Sequence, residues 1–294
     1  MTLWPAISAQ IEQATGKPFV VRNEQAVGGG CINQACRIGD GERDFFVKLN
    51  SARYGDMFEA EYLALQEMAA SQTIRVPEPV CYGEADGQAF LLLEYLPLNG
   101  RADAQLQGQQ LAAMHRHFGE RFGWQRDNTI GSTPQYNQPR NNCGHDWVAF
   151  WREQRLLPQL KLAQQNGHGR SLGIMDKLLA DFPRLFSDYQ PQPSMLHGDL
   201  WGGNAAALAD GTPVIFDPAF YYGDRETDIA MTTLFGGFSR GFYDAYNDSW
   251  PLDPGYNSRK HLYNLYHLLN HLNLFGSGYL GQAIASAERV LAEI

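Results

Sequence analysis

Asp199, Asn204 and Asp217 are the residues of this chain best suited to chemistry. They lie in two short runs, His197-Gly198-Asp199-Leu200-Trp201-Gly202-Gly203-Asn204 and Ile215-Phe216-Asp217. Asn204 follows Asp199 by five residues, and Asp217 follows Asn204 by thirteen. The stretch between Asn204 and Asp217 reads as a hairpin: a strand over 205–208, a turn at Ala209-Asp210-Gly211-Thr212, and a return strand over 213–216. A hairpin brings its end back to its start, and paired strands lie ~5 Å apart. An amide oxygen and a carboxylate at that separation suit Mg²⁺, a hard cation that prefers oxygen ligands. Asp199, one loop upstream, is placed to orient a hydroxyl group and take its proton. A base beside a two-oxygen metal site suits transfer of a phosphoryl group to an alcohol. Asp, Asn and Gly are also ordinary turn formers, so the spacing carries this reading and the composition does not.

The elements that must position these groups can be read upstream. Val20 to Asn23, Ala35 to Ile38 and Phe45 to Leu49 read as three antiparallel strands, with Gly28-Gly29-Gly30-Cys31 in the first connection. Glycines there let backbone N–H groups approach a phosphate closely, although a glycine triplet is more often only a pliable turn. Alternation puts Phe45, Val47 and Leu49 on one face of the third strand and Phe46 with Lys48 on the other. The next segment, Met57 to Ala70, carries Phe58, Tyr62, Leu65, Met68 and Ala69 at helical spacing, and Glu61 falls on that stripe. A carboxylate on a packed face needs a partner, because an isolated buried charge is very costly. Lys48 is the economical one. Val80 to Tyr82 and Ala89 to Leu96 give two more strands, and Pro97, Asn99 and Gly100 then break the pattern. This places a boundary between a strand-rich segment, 1–96, and a mainly helical one, 97–294.

In the second segment, 105–118, 146–162, 175–186 and 261–274 read as helices, and 130–140, with two prolines, as an irregular loop. His115 and His117 read as helix-end residues favoured by the helix dipole. Asp228, in the helix opened by Asp224 to Ala230, has two readings: an acceptor for backbone N–H groups of the 197–204 loop, or a helix-start carboxylate. His267 and His271 flank an apolar stripe and are given no metal role.

Bulk properties narrow the classes. The chain has 294 residues, of which 44% are hydrophobic and 19% charged, as expected of a globular protein with a sizeable core. A net charge of −9 argues against non-specific binding to nucleic acid or to acidic membranes. The apolar run 89–93 is far too short to span a bilayer, and Met1 to Gly16 lacks the basic and apolar regions of a signal peptide. The four cysteines show no C-x-x-C or zinc spacing. A reduced, cytoplasmic setting fits best.

With its Leu-Trp insert, the His197–Asn204 run resembles the fructosamine kinase (ketosamine-3-kinase) family, as do Phe216-Asp217-Pro218-Ala219, Leu234-Phe235-Gly236-Gly237-Phe238 and Leu274-Phe275-Gly276-Ser277-Gly278-Tyr279. The resemblance extends through Gly28 to Ile32, Phe46-Val47-Lys48, Phe58 to Glu61 and the helix at Trp147, so it covers nearly the whole chain. It implies an α+β, bilobal protein-kinase-like fold, with an antiparallel-sheet N-terminal lobe and a mainly helical C-terminal lobe. It also implies ATP, Mg²⁺, and phosphorylation of the 3-hydroxyl of a ketosamine, either a small sugar-amine or a glycated protein, in repair of glycation. Carried over residue by residue, Asp199 resembles the catalytic base, and Asn204 and Asp217 the Mg²⁺ ligands. Lys48 and Glu61 resemble the phosphate-positioning pair, and Trp201 stands where the family meets the sugar. Gly28, Gly29, Gly30 and Cys31 would face the phosphates, while Glu94 and Leu96 mark the hinge whose backbone groups meet adenine. A thiolate at Cys31 would be stabilised by a loop built for anions. The HGD-x₄-N core is shared with aminoglycoside and choline kinases, so another small-molecule kinase of that type is the alternative. A catalytically silent nucleotide-binding scaffold is a further one.

Overall fold

The computed structural model describes residues 2–28, 33–140, 143–236 and 238–294. The chain forms two compact units, Met1–Asp103 with Ala206–Pro218, and Ala104–Ala205 with Ala219–Ile294.

The first unit is built on a five-stranded antiparallel sheet. In chain order it contains helix α1 (Leu3–Thr15), strands β1 (Asn23–Ala26), β2 (Gln34–Gly39) and β3 (Asp44–Ser51), helix α2 (Gly55–Ala70), and strands β4 (Pro79–Ala85) and β5 (Gln88–Glu94). The strand order is β1-β2-β3-β5-β4, so β3 lies in the middle, with Lys48 opposite Leu91 of β5. Alternation along β3 works as the sequence requires. Val47 and Leu49 join Ile38 and Leu92 in a core that Ile7 and Ile11 of α1 complete, and this leaves Lys48 on the other face. The β4–β5 connection is a two-residue turn in which Asp86 (φ 51°) and Gly87 (φ 75°) both adopt left-handed backbone, the geometry that matches the twist of a hairpin.

The second unit is mainly helical. It opens with α3 (Ala104–His115). Strands β6 (Asn128–Ile130) and β7 (Thr133–Gln135) then form a small hairpin, which places β7 inside the segment expected to be an irregular loop. Pro134 is tolerated there because a two-stranded pair leaves one edge of each strand without a ladder partner. The helix expected over 146–162 is interrupted. It runs as α4 (Trp147–Trp151), a widened turn at Arg152–Leu156, and α5 (Leu157–Gln165). Pro158 has no N–H for the carbonyl of Gln154, and Nη1 of Arg155 donates to that carbonyl instead, at 3.0 Å. α6 (Ile174–Asp181) and β8 (Ser194–Leu196) follow.

The hairpin expected between Asn204 and Asp217 forms, as β9 (Ala205–Ala207) and β10 (Pro213–Ile215). It packs within the first unit, where Ile215 N donates to Arg75 O at 3.0 Å and Gly100 N donates to Ala207 O at 3.0 Å. β11 (Tyr221–Gly223) then pairs with β8, and α7 (Glu226–Thr232), α8 (Arg240–Ser249), α9 (Tyr256–Phe275) and α10 (Leu280–Ala292) complete the second unit. Among the described residues no helix is long and apolar enough to cross a membrane.

Candidate active site

Lys48 is the centre of a charged cluster inside the first unit. Its Nζ donates to Glu61 Oε1 at 2.5 Å and to Asp217 Oδ1 at 2.6 Å. The lysine and glutamate side chains are 6% and 11% exposed, and that of Asp217 is 46% exposed. Burial opposes the charge on Lys48, but the two carboxylates outweigh it and hold the amine above the ordinary lysine range. Burial pushes the Glu61 carboxyl up, against the pull of Lys48. Asp217 reaches the lysine because β10 ends two residues before it and its own backbone turns left-handed, at φ 59°. Asp is among the residues that tolerate that region best. Its Oδ1 is bonded to Lys48, and a carboxylate has further lone pairs to offer a cation.

The second unit holds the loop that carries Asp199. Gly198 adopts φ 83°, and a Cβ there would lie 2.0 Å from the carbonyl oxygen of Ala219, so only glycine fits. Nδ2 of Asn204 donates to the backbone oxygen of Asp199 at 2.9 Å and to its Oδ2 at 3.3 Å. Both amide hydrogens thus serve Asp199, and the amide oxygen is the donor that Asn204 can offer a metal. A carbonyl oxygen and a carboxylate are each the kind of hard ligand that Mg²⁺ prefers. Nδ1 of His267 lies 3.9 Å from Oδ1 of Asp199, too long for a hydrogen bond. Burial drives the His267 pKa down to about 3.

The loop is anchored from beneath. Asp228 accepts the backbone N–H of His197 at 2.7 Å and of Gly198 at 2.8 Å, so the first of its two sequence readings is the observed one. Burial would raise its pKa, but the hydrogen bond from His115 and the N–H of Gly198 hold it below the usual carboxylate range. His115 is not a helix-end cation. It is fully buried and its pKa is lowered by burial, so it is neutral. Nε2 then donates to Asp228 at 3.2 Å and Nδ1 accepts from the Tyr246 hydroxyl at 2.8 Å, which itself accepts from Arg225 Nη1 at 3.1 Å. This chain of donors, each polarising the next, ends on the carboxylate that fixes the 197–198 backbone. His115, Tyr246 and His267 are the residues that sequence reasoning missed. The signal available was a polar side chain on an otherwise apolar helix face.

Of the remaining expected site residues, Gly28 is exposed and a Cβ on it would meet nothing within 4 Å. Gly29, Gly30 and Cys31 lie outside the described residues. Glu94 closes β5, its carboxylate accepting from Arg75 and from Glu78 N, and Leu96 is half-buried just beyond it. Trp201 is 37% exposed. A Cβ at Gly203 would lie 2.3 Å from its indole, so the glycine lets that ring lie against the loop.

The family model described as fructosamine kinase matches residues 3–293. A protein of Synechocystis named as a probable ketoamine kinase is 50% identical over 285 residues, covering 95% of this chain and 94% of its own length. A solved structure from Haemophilus somnus, described as a candidate fructosamine-3-kinase, superposes with a TM-score of 0.88 at 30% identity and 98% coverage of both chains. An aminoglycoside phosphotransferase solved with ADP and hygromycin B superposes with a TM-score of 0.63 at 15% identity, over 98% of this chain and 97% of its own. That last likeness is one of fold alone and bears out the protein-kinase-like architecture.

Proposed function

This chain belongs to the fructosamine kinase family, and from that premise we propose that it transfers the γ-phosphoryl group of ATP to the 3-hydroxyl of a ketosamine, releasing ADP. Asp199 orients the acceptor hydroxyl and takes its proton as the oxygen attacks phosphorus and the bond to the β-phosphate oxygen breaks. Lys48, steadied by Glu61, binds the α- and β-phosphates, and the glycine-rich connection from Gly28 onward supplies backbone N–H groups to the same anion. Glu94 and Leu96 mark the segment whose backbone meets adenine. Asn204 and Asp217 would hold Mg²⁺, which supplies charge compensation for the phosphates when bound. Trp201 offers an indole face to the C–H face of the sugar. The lobe boundary near residue 96 belongs to the same proposal. A 3-phosphate so placed is labile and frees the amine, which makes deglycation the natural outcome.

One observation carries the reading: a buried lysine clamped by carboxylates 13 and 169 residues away in sequence. A solvated strand lysine needs neither. Turnover of ATP should therefore be measured against a ribulosamine, a fructosamine, an aminoglycoside and choline, with the phosphate position read by NMR. Phosphate on the 3-oxygen of a ketosamine is the expected product. Turnover confined to the aminoglycoside or choline would select the alternative kinase, and ATP turnover with none would select the catalytically silent scaffold.

A further inference from the structure

The β6–β7 hairpin brings together three amide side chains that the proposed chemistry leaves without a role: Asn128 on β6, Gln135 at the end of β7, and Asn137 two residues on. Gln135 is 1% exposed and Asn137 is fully buried. Polar groups are costly to bury without partners, and these amides have them. Nε2 of Gln135 donates to the backbone oxygen of Ala219 and to Oδ1 of Asn128, both at 2.9 Å. Nδ2 of Asn137 donates to the same Asn128 oxygen at 2.7 Å, and Nδ2 of Asn128 donates to the backbone oxygen of Phe220 at 2.8 Å. The hydroxyl of Tyr266 on α9 donates to Oε1 of Gln135 at 2.8 Å.

One charge sets the direction of these bonds. Arg155 is fully buried. Its guanidinium donates to neutral oxygens, Tyr136 O at 2.6 Å, Gln154 O at 3.0 Å and Asn137 Oδ1 at 2.7 Å. A guanidinium only donates, so the oxygen of Asn137 must face it and the NH₂ of Asn137 must face Asn128. Asn128 then turns its oxygen to Asn137 and Gln135, and its NH₂ to the Phe220 carbonyl, which only accepts. Gln135 likewise turns its NH₂ to the Ala219 carbonyl. Each amide therefore has one orientation, and the hairpin grips the main chain at residues 219–220 by two carbonyls. Arg155 itself sits in the widened turn between α4 and α5, an irregularity common at functional sites.

The grip bears on the base through Gly198. A Cβ at Gly198 would lie 2.0 Å from the Ala219 carbonyl oxygen, the same oxygen that Gln135 holds. The N–H of Gly198 is held by Asp228. We propose that Gln135 is a positioning residue: by fixing the Ala219 carbonyl it sets the surface against which Gly198 rests, and so the place of Asp199, while Arg155 keeps the amides in the one orientation that allows it. This inference rests on the role given to Asp199 in the kinase reading above.

Gln135→Met keeps the length of the side chain and removes the grip. Tyr266→Phe removes only the hydroxyl that orients the amide, and serves if the first variant does not fold. In Gln135→Met, kcat with a ketosamine acceptor should fall about tenfold or more, because a slightly misplaced catalytic group is costly. KM for ATP and for the acceptor should stay within about twofold. Tyr266→Phe should change in the same direction by less. Neither should lower the residual turnover of Asp199→Asn further, because the amide acts through that carboxylate. Hydrogen exchange at the Gly198 and Asp199 amides, which needs no substrate, should quicken in both variants relative to α10. Unchanged kcat with unchanged exchange, or equal losses with and without Asp199, would overturn the positioning role while leaving the kinase reading intact. Quickened exchange at those two amides in a protein that phosphorylates no ketosamine would uphold the grip and remove the kinase reading.

Discussion

Replacing Lys48 with methionine should expose how strongly the first unit depends on one ion pair. Methionine preserves the apolar stem and removes only the charge. The Asp217 contact counts for little in stability, since that carboxylate is almost half exposed and screened. The Glu61 contact is different, with both side chains nearly excluded from water. Removing one partner of a buried pair leaves the other charge without compensation, at a cost of about 3–5 kcal/mol. Part of that cost is recoverable by protonation. Burial raises the Glu61 pKa above its ordinary 4.5, so in Lys48→Met the folded state holds a proton that the unfolded state releases. Stability from that proton is fully present below pH 4.5 and is lost as pH rises through the folded-state value. The variant should therefore lose most at pH 8 and markedly less at pH 5, relative to the unaltered protein. Lys48→Met/Glu61→Gln should recover about 2 kcal/mol or more of the loss at pH 8 and show no such dependence, because the amide carries no charge to desolvate. Urea midpoints at the two pH values, with hydrogen exchange in α2 as the local readout, measure this. A loss under about 1 kcal/mol, or the same loss at both pH values with no recovery in the double variant, would refute the claim that Glu61 is a buried charge held by Lys48.

Three further outcomes follow from the second unit. Asp199→Asn should lower turnover by ~10²-fold or more while nucleotide affinity, read by calorimetry, changes little; turnover near that of the unaltered protein would remove Asp199 as base. Asp228→Asn keeps one acceptor for the two N–H groups of His197 and Gly198 and should cost about 1–3 kcal/mol, with faster hydrogen exchange at those two amides as its signature. His267 stays neutral in the fold down to about pH 3, whereas in the unfolded chain it binds a proton below about 6.5. Stability should therefore fall as pH drops from 7 to 5, by about 2 kcal/mol from this residue alone, and His267→Leu should lose that share of the acid sensitivity in thermal melts at the two pH values.

What was legible in the sequence was whatever a local pattern imposes. Alternation along β3 separated Val47 from Lys48, and the 3.6-residue period of α2 put Glu61 on a packed face, so their meeting could be argued before any coordinates. The Asp210-Gly211 turn announced the β9–β10 hairpin that precedes Asp217. Other features depend on distant chain. His115 ends a helix, where a cation is favourable, and only Tyr246 and Asp228, more than a hundred residues later, make it a neutral relay. The break near Arg152 was hidden because Trp147, Phe150 and Trp151 before it and Leu157 and Leu160 after it keep one helical stripe. The clue was Pro158, which denies Gln154 its helical partner. Pro134 made β7 look like loop, although a short two-stranded pair has an edge that needs no N–H.

Two buried carboxylates, Glu61 and Asp228, differ in the kind of partner that offsets their burial. Glu61 is compensated by a single cationic side chain, so it fixes that side chain, and its pKa is raised because one lysine shared with Asp217 does not fully replace water. Asp228 is compensated by backbone N–H groups and an imidazole, so it fixes the main chain at residues 197–198, and its pKa is lowered because the hydrogen bonds from His115 and the Gly198 N–H outweigh its burial. Asp199 follows immediately on that anchored backbone, with 22% of its side chain exposed and a neutral amide donor from Asn204. A carboxylate held by a rigid main chain, bonded to a neutral amide and partly open to solvent keeps both its position and its capacity to accept a proton. Those are the two properties that a base in phosphoryl transfer requires, because positioning and charge stabilisation supply most of the acceleration in that reaction.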